Sequence, residues 1–234
     1  MNRTRSLADT VVVKLSFLMC FWLIWFTTYS WLNARGTRTG VYWQSPGIYV
    51  SWFVYPYVFG MAALIILPWF FNWIKPRFFS LMILYIITSL ILFLVYYFYP
   101  VMMTRRSYDG PGVPDTLMRW IIGLDDPANC FPSNHCALAT LGCIGVYIRT
   151  RSPVWRWMAG TLTGIVCLST VLVGQHYWID IPSGILTSLL TYRLMAECGG
   201  FKVESLPHQP IDPSRHRSEI PRNPIQKRNT HESR

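Results

Sequence analysis

Two histidines and one aspartate carry most of the chemistry legible in this chain. Three of its five histidines, His208, His216 and His231, sit in a polar C-terminal stretch without metal-ligand spacing. The other two, His135 and His176, stand at the ends of apolar runs, and Asp180 follows His176 by four residues. A helix over that stretch would stack the pair on one face. Asp180 is also the only acidic residue between Asp126 and Glu197, and an ionisable group at membrane depth is costly enough to mark function. A carboxylate there can accept one ring N–H of His176, fix its tautomer and stabilise an imidazolium. His176 is then a candidate nucleophile, and His135 a candidate acid for the oxygen that leaves.

His135 closes the stretch Pro132-Ser133-Asn134-His135 at the start of an apolar run. Ser133 is a good N-cap, so a helix is expected to begin here, with first-turn N–H groups that lack internal partners. Such an end attracts phosphate, and Arg105 and Arg106 on the same side are candidates to neutralise its oxygens. Each feature alone has a plainer use: an interfacial histidine, a structural His–Asp hydrogen bond, a basic topology signal. Their convergence on one face argues for a site in which two imidazoles face each other across a gap the size of a phosphoryl group.

The elements that must position these groups are membrane spans. The chain has 234 residues, 52% hydrophobic and only 14% charged, with a mean hydropathy of +0.27, where a soluble domain carries nearer a quarter charged. Six apolar runs define an all-α integral bundle of six transmembrane helices: Val11–Trp31, Ile48–Phe71, Phe78–Tyr99, Asn134–Ile148, Trp155–Gly174 and Trp178–Glu197. The fourth is short for a span and is expected to begin before Asn134. A short interfacial helix is predicted over Asp115–Leu124, in the loop between the third and fourth spans. Basic residues favour cytoplasmic termini: Arg3, Arg5, Lys14, Lys75, Arg77, Arg149, Arg151, Arg156, Arg193 and Lys202 fall on that side, against Arg35, Arg38, Arg105, Arg106 and Arg119 outside. The histidines and Asp180 then face the extracytoplasmic side. Residues 1–198 form the membrane domain, and 199–234 a basic, disordered cytoplasmic tail suited to anionic lipid. The net charge of +10 is scattered along the chain rather than gathered on one face, which argues against nucleic acid. The six cysteines lack zinc-ligand spacing and read as buried thiols, with Cys130 and Cys136 able to pair only on an oxidising side.

At these residues the chain resembles the type 2 phosphatidic acid phosphatase superfamily of integral lipid phosphatases and phosphotransferases. That family carries the motifs K-x6-R-P, P-S-G-H and S-R-x5-H-x3-D. The second reads here Pro132-Ser133-Asn134-His135, and the third Ser169-Thr170, five residues, His176, three residues, Asp180. The match runs roughly from Tyr99 to Glu197. The resemblance implies that His176 attacks phosphorus to form a phosphohistidine, that Asp180 orients it, and that His135 protonates the leaving group. It implies that Ser133, Asn134, Ser169 and Thr170 line the phosphate, with no metal and no cofactor. Two departures stand out: Thr170 replaces the motif arginine, and in the first motif no lysine lies in Pro100–Gly112 while Arg106 precedes Ser107 rather than proline. The Ser-Thr version resembles the branch of inositolphosphotransferases and sphingolipid synthases. Three functions follow as expectations: hydrolysis of a lipid phosphomonoester or diphosphate, transfer of a phospho-headgroup to an alcohol, or lipid binding without turnover.

Overall fold

A computed structural model describes residues 2–43, 48–73 and 77–199, with side chains from residue 11 onward. The expected tail and its three histidines lie outside the described residues, apart from Gly199. That glycine follows the last helix with φ of 75°, the left-handed conformation a helix end favours.

Helix α1, Asn2–Thr39, is longer than its apolar run because nothing breaks it before Gly40. The chain then enters a three-residue strand, β1 (Val41–Trp43), paired in parallel with β2 (Val101–Met103) in the register Val41 to Val101. The all-α expectation omitted this ribbon. Its β-branched and aromatic residues favour an extended chain, and the helical hairpin between the strands supplies the long crossover that parallel pairing needs. That hairpin begins with a 3-10 turn, Ser51–Phe53, and a wide π turn, Pro56–Gly60. They run into α2 (Met61–Phe71), and α3 (Arg77–Phe98) returns. Pro68 lies inside α2, and buried Asn72 secures the end of that helix, its amide donating to the Pro68 and Gly145 carbonyls at 2.8 and 2.6 Å.

After β2 come α4 (Val113–Leu124), α5 (Asn134–Tyr147), α6 (Pro153–Leu172) and α7 (Asp180–Glu197). Among the described residues three helical stretches are long and apolar enough to cross a membrane: Val11–Thr39, Ser51–Phe71 and Arg77–Phe98. The expected fourth span has 14 residues, about 21 Å of helix, and starts at Asn134 rather than earlier because Ser133 caps it. Helix α5 is instead the hub, buried along most of its length and packed against α2, α6 and α7. Small residues allow this. A Cβ on Gly142 would collide with the Leu64 carbonyl of α2, and one on Gly184 of α7 with the Ser133 carbonyl. Helix α4 places Met118 in a cluster with Val54, Tyr57, Tyr108 and Val173, so its apolar side covers the protein next to the π turn.

Candidate active site

Three elements meet at the histidines: the start of α5, the turn between α6 and α7, and the π turn ahead of α2. Ser133 opens α5 as its N-cap, its hydroxyl accepting the Cys136 N–H at 3.2 Å. The intrahelical ladder begins with Ala137 N–H on the Ser133 carbonyl at 3.0 Å, which leaves the amides of Asn134 and His135 ahead of it. Tyr96 of α3 donates to the Pro132 carbonyl at 2.6 Å and holds this entry in place.

His176 does not share a helix with Asp180. Gly174, at φ of 75°, turns the chain out of α6, and the Thr170 carbonyl accepts the Gln175 N–H at 3.0 Å. Asp180 is the first residue of α7. Its Oδ2 accepts the Tyr177 N–H at 2.8 Å and lies 3.0 Å from His176 Nδ1. The four-residue spacing thus works through a turn folded over a helix start, where a carboxylate is favoured. His176 Nδ1 also lies 2.9 Å from the Cys130 carbonyl. Since a carbonyl can only accept, Nδ1 carries the proton.

The other nitrogen of His176, Nε2, lies 3.1 Å from Nδ1 of His135, with the ring centroids 5.3 Å apart. The rings therefore touch, where the sequence suggested a gap. In a buried site each imidazole nitrogen must find a partner, and these two find each other. His135 Nε2 lies 3.0 Å from the hydroxyl of Tyr57, a residue no spacing in the sequence singled out.

Other expected phosphate contacts are placed differently. Arg105 donates to the Asp125 and Asp126 carbonyls and pairs with Asp125 Oδ2 at 3.1 Å. Asn33 and Tyr29 of α1 hold the other Asp125 oxygen at 2.7 and 3.2 Å. Arg106 lies over the Tyr49 ring, 5.1 Å from its centroid. Ser169 and Thr170 hydrogen-bond back into α6, to the Val166 and Cys167 carbonyls at 2.6 and 2.7 Å, so their hydroxyls serve the helix. Asn134 is buried with its Oδ1 unpaired, and it stands beside His135 at the same helix start. Of the nine expected residues, His135, His176, Asp180, Ser133 and Asn134 come together. Arg105 and Arg106 stand in the neighbouring loop.

Burial opposes charge on His176, but the Asp180 hydrogen bond and negative charge outweigh it and raise the histidine above its ordinary value. The Cys130 thiol is pushed up to about 12, first by burial and then by Asp180, so it is no thiolate at neutral pH. All six cysteines are unpaired. Among the described residues no group of three His, Cys, Asp or Glu side chains is placed to hold a metal ion.

Comparison with curated proteins and with solved structures gave no match. A family model does match, over residues 45–194, a stretch that contains both histidines, Asp180 and every motif residue described above while leaving out α1. Matched over more than half its length, and with these groups gathered at one point, the chain belongs to the PAP2 superfamily.

Proposed function

We propose that the chain is a membrane enzyme that hydrolyses the phosphomonoester or diphosphate of a lipid through a phosphohistidine. Membership of the superfamily supports phosphatase-type chemistry at the coarse level. The observation that carries the finer reading is the His135–His176–Asp180 line, with contacts of 3.1 and 3.0 Å.

In this mechanism the phosphoryl group enters between the two rings. His176 Nε2, whose lone pair is free because Nδ1 bears the proton, attacks phosphorus. The phosphorus–oxygen bond to the leaving group breaks, and the leaving oxygen takes a proton from His135. Asp180 stabilises the cationic ring of the intermediate. Water then attacks phosphorus, giving a proton to His135 as the nitrogen–phosphorus bond breaks. The amides of Asn134 and His135 and the side chain of Asn134 face the phosphoryl oxygens. Arg105 supplies positive charge once it exchanges Asp125 for phosphate.

We place six spans in the membrane, with α5, α6 and α7 completing the bundle around the three longer helices. Helix α4 lies at the interface, both termini are cytoplasmic, and the histidines face the extracytoplasmic side. The basic tail rests on anionic lipid. Transfer of the phosphoryl headgroup to a lipid or polyol alcohol is a second reading, favoured by Thr170 at the position of the motif arginine.

Purified protein given phosphate-labelled lipids, with and without alcohol acceptors, tests both. Free labelled phosphate alone means hydrolysis, and a new labelled lipid means transfer. His176→Ala should lose all turnover and acid-labile labelling of the protein while keeping expression. Turnover by that variant would remove the nucleophile from the scheme, and a wild-type chain that binds lipid without turning it over would be a binding protein.

A further inference from the structure

The hydrogen bonds at the site form a continuous line with a defined direction. Its end is the Cys130 carbonyl, which can only accept. His176 Nδ1 therefore bears a proton, and in the neutral form able to attack, Nε2 presents a lone pair. His135 Nδ1 lies 3.1 Å from that lone pair and must carry the proton between them, since two lone pairs at that distance would repel. His135 Nε2 is then the acceptor, and the Tyr57 hydroxyl at 3.0 Å is its donor. Tyr57 is 4% exposed and comes from the π turn Pro56–Gly60, where its ring also tilts over His135 at 5.1 Å.

We propose that Tyr57 is a positioning residue for the acid: it holds Nε2 of His135, so that Nδ1 is the nitrogen that serves the leaving oxygen. A phenol suits this because it donates to a bare Nε2 and, with its hydroxyl turned, accepts from a protonated one. In the cationic form His135 gives its Nδ1 proton to the leaving oxygen as the phosphorus–oxygen bond breaks. It becomes a neutral ring whose remaining proton, on Nε2, is donated to Tyr57. Without the hydroxyl the ring keeps its packing but loses the contact that fixes its rotation. The inference rests on the phosphohistidine reading above and adds a residue outside the three motifs.

The test compares kcat/KM for two substrates: a long-chain alkyl phosphate, whose alkoxide needs a proton to leave, and nitrophenyl phosphate, whose leaving group does not. Tyr57→Phe should lower the alkyl value about 10- to 100-fold, the scale of a misplaced group, and change the aryl value little. In a His135→Ala background the same substitution should add nothing. Equal losses on both substrates, or none, would overturn the role of Tyr57 while leaving the nucleophile in place. If the wild-type protein turns over neither substrate, or His176→Ala turns over both, the phosphohistidine reading itself fails and this role with it. Should Tyr57→Phe not fold, 3-fluorotyrosine at position 57 keeps the size and the hydroxyl but weakens the oxygen as an acceptor. It must alter the alkyl rate and spare the aryl rate, and an unchanged ratio counts against the proposal.

Discussion

Asp180 shows how one buried carboxylate can do three things at once. It accepts from the His176 ring and from the Tyr177 amide, and its charge holds His176 above the ordinary histidine value against the opposing effect of burial. The sign of the pH dependence follows. In the proposed mechanism His176 must be neutral to attack, so kcat/KM falls as pH drops through this raised value, which places the acid limb above about 6.5. Asp180→Asn removes the charge, so the limb should move to lower pH while the maximal rate falls by up to roughly 10⁴-fold, as the ring loses the carboxylate that orients it and stabilises its cation. Rate profiles of both proteins on one lipid phosphate check this, and a limb that stays in place would deny the orienting role. The spacing of His176 and Asp180 was readable because the bond is local. Tyr57 was not: a tyrosine within an aromatic-rich run carries no spacing signal, and only packing shows which ring it meets.

Between elements, the site depends on how closely α7 approaches α5. Gly184 faces the Ser133 carbonyl, and a Cβ added there would also lie 3.0 and 3.1 Å from Cys136 Cβ and the Ala137 amide nitrogen. Gly184→Ala should therefore push α7, and Asp180 with it, away from the start of α5. A cost of about 1–3 kcal/mol is expected from overpacking, together with lower turnover. Thermal unfolding in detergent measures the first effect. Gly164→Ala serves as the control, because a Cβ there meets open space. Helix α1 plays a different part: its Asn33 bonds both Asp125 and Asn129, and so ties the segment after α4, whose Asp125 pairs with Arg105, to a helix outside the family match. The helices were legible as apolar runs, and α3 agrees with its run to within a residue at each end. The parallel ribbon was not, because strands of three residues are too short for a period and pair across about 60 intervening positions.

For the molecule as a whole, the proposed topology has its own check. Ser107, exposed in the loop after β2, lies outside in that arrangement, and Cys198, exposed at the end of α7, lies inside. A membrane-impermeant maleimide applied to intact cells should label Ser107→Cys and spare Cys198, and the reverse pattern would invert the chain. Among the described residues three helices are long and apolar enough to cross a membrane, whereas α5 is short and rich in small residues because it packs among helices. Composition and motif spacing alone determined the membrane character, the family and the three groups at the centre, since these depend on residue type and on neighbours a few positions apart. Tertiary structure alone decided that the two imidazoles touch, that Arg105 is held by Asp125, and that Tyr57 and the Cys130 carbonyl complete the line. Those are contacts between residues 20 to 78 positions apart, and no local pattern encodes which distant partners a buried polar group must find.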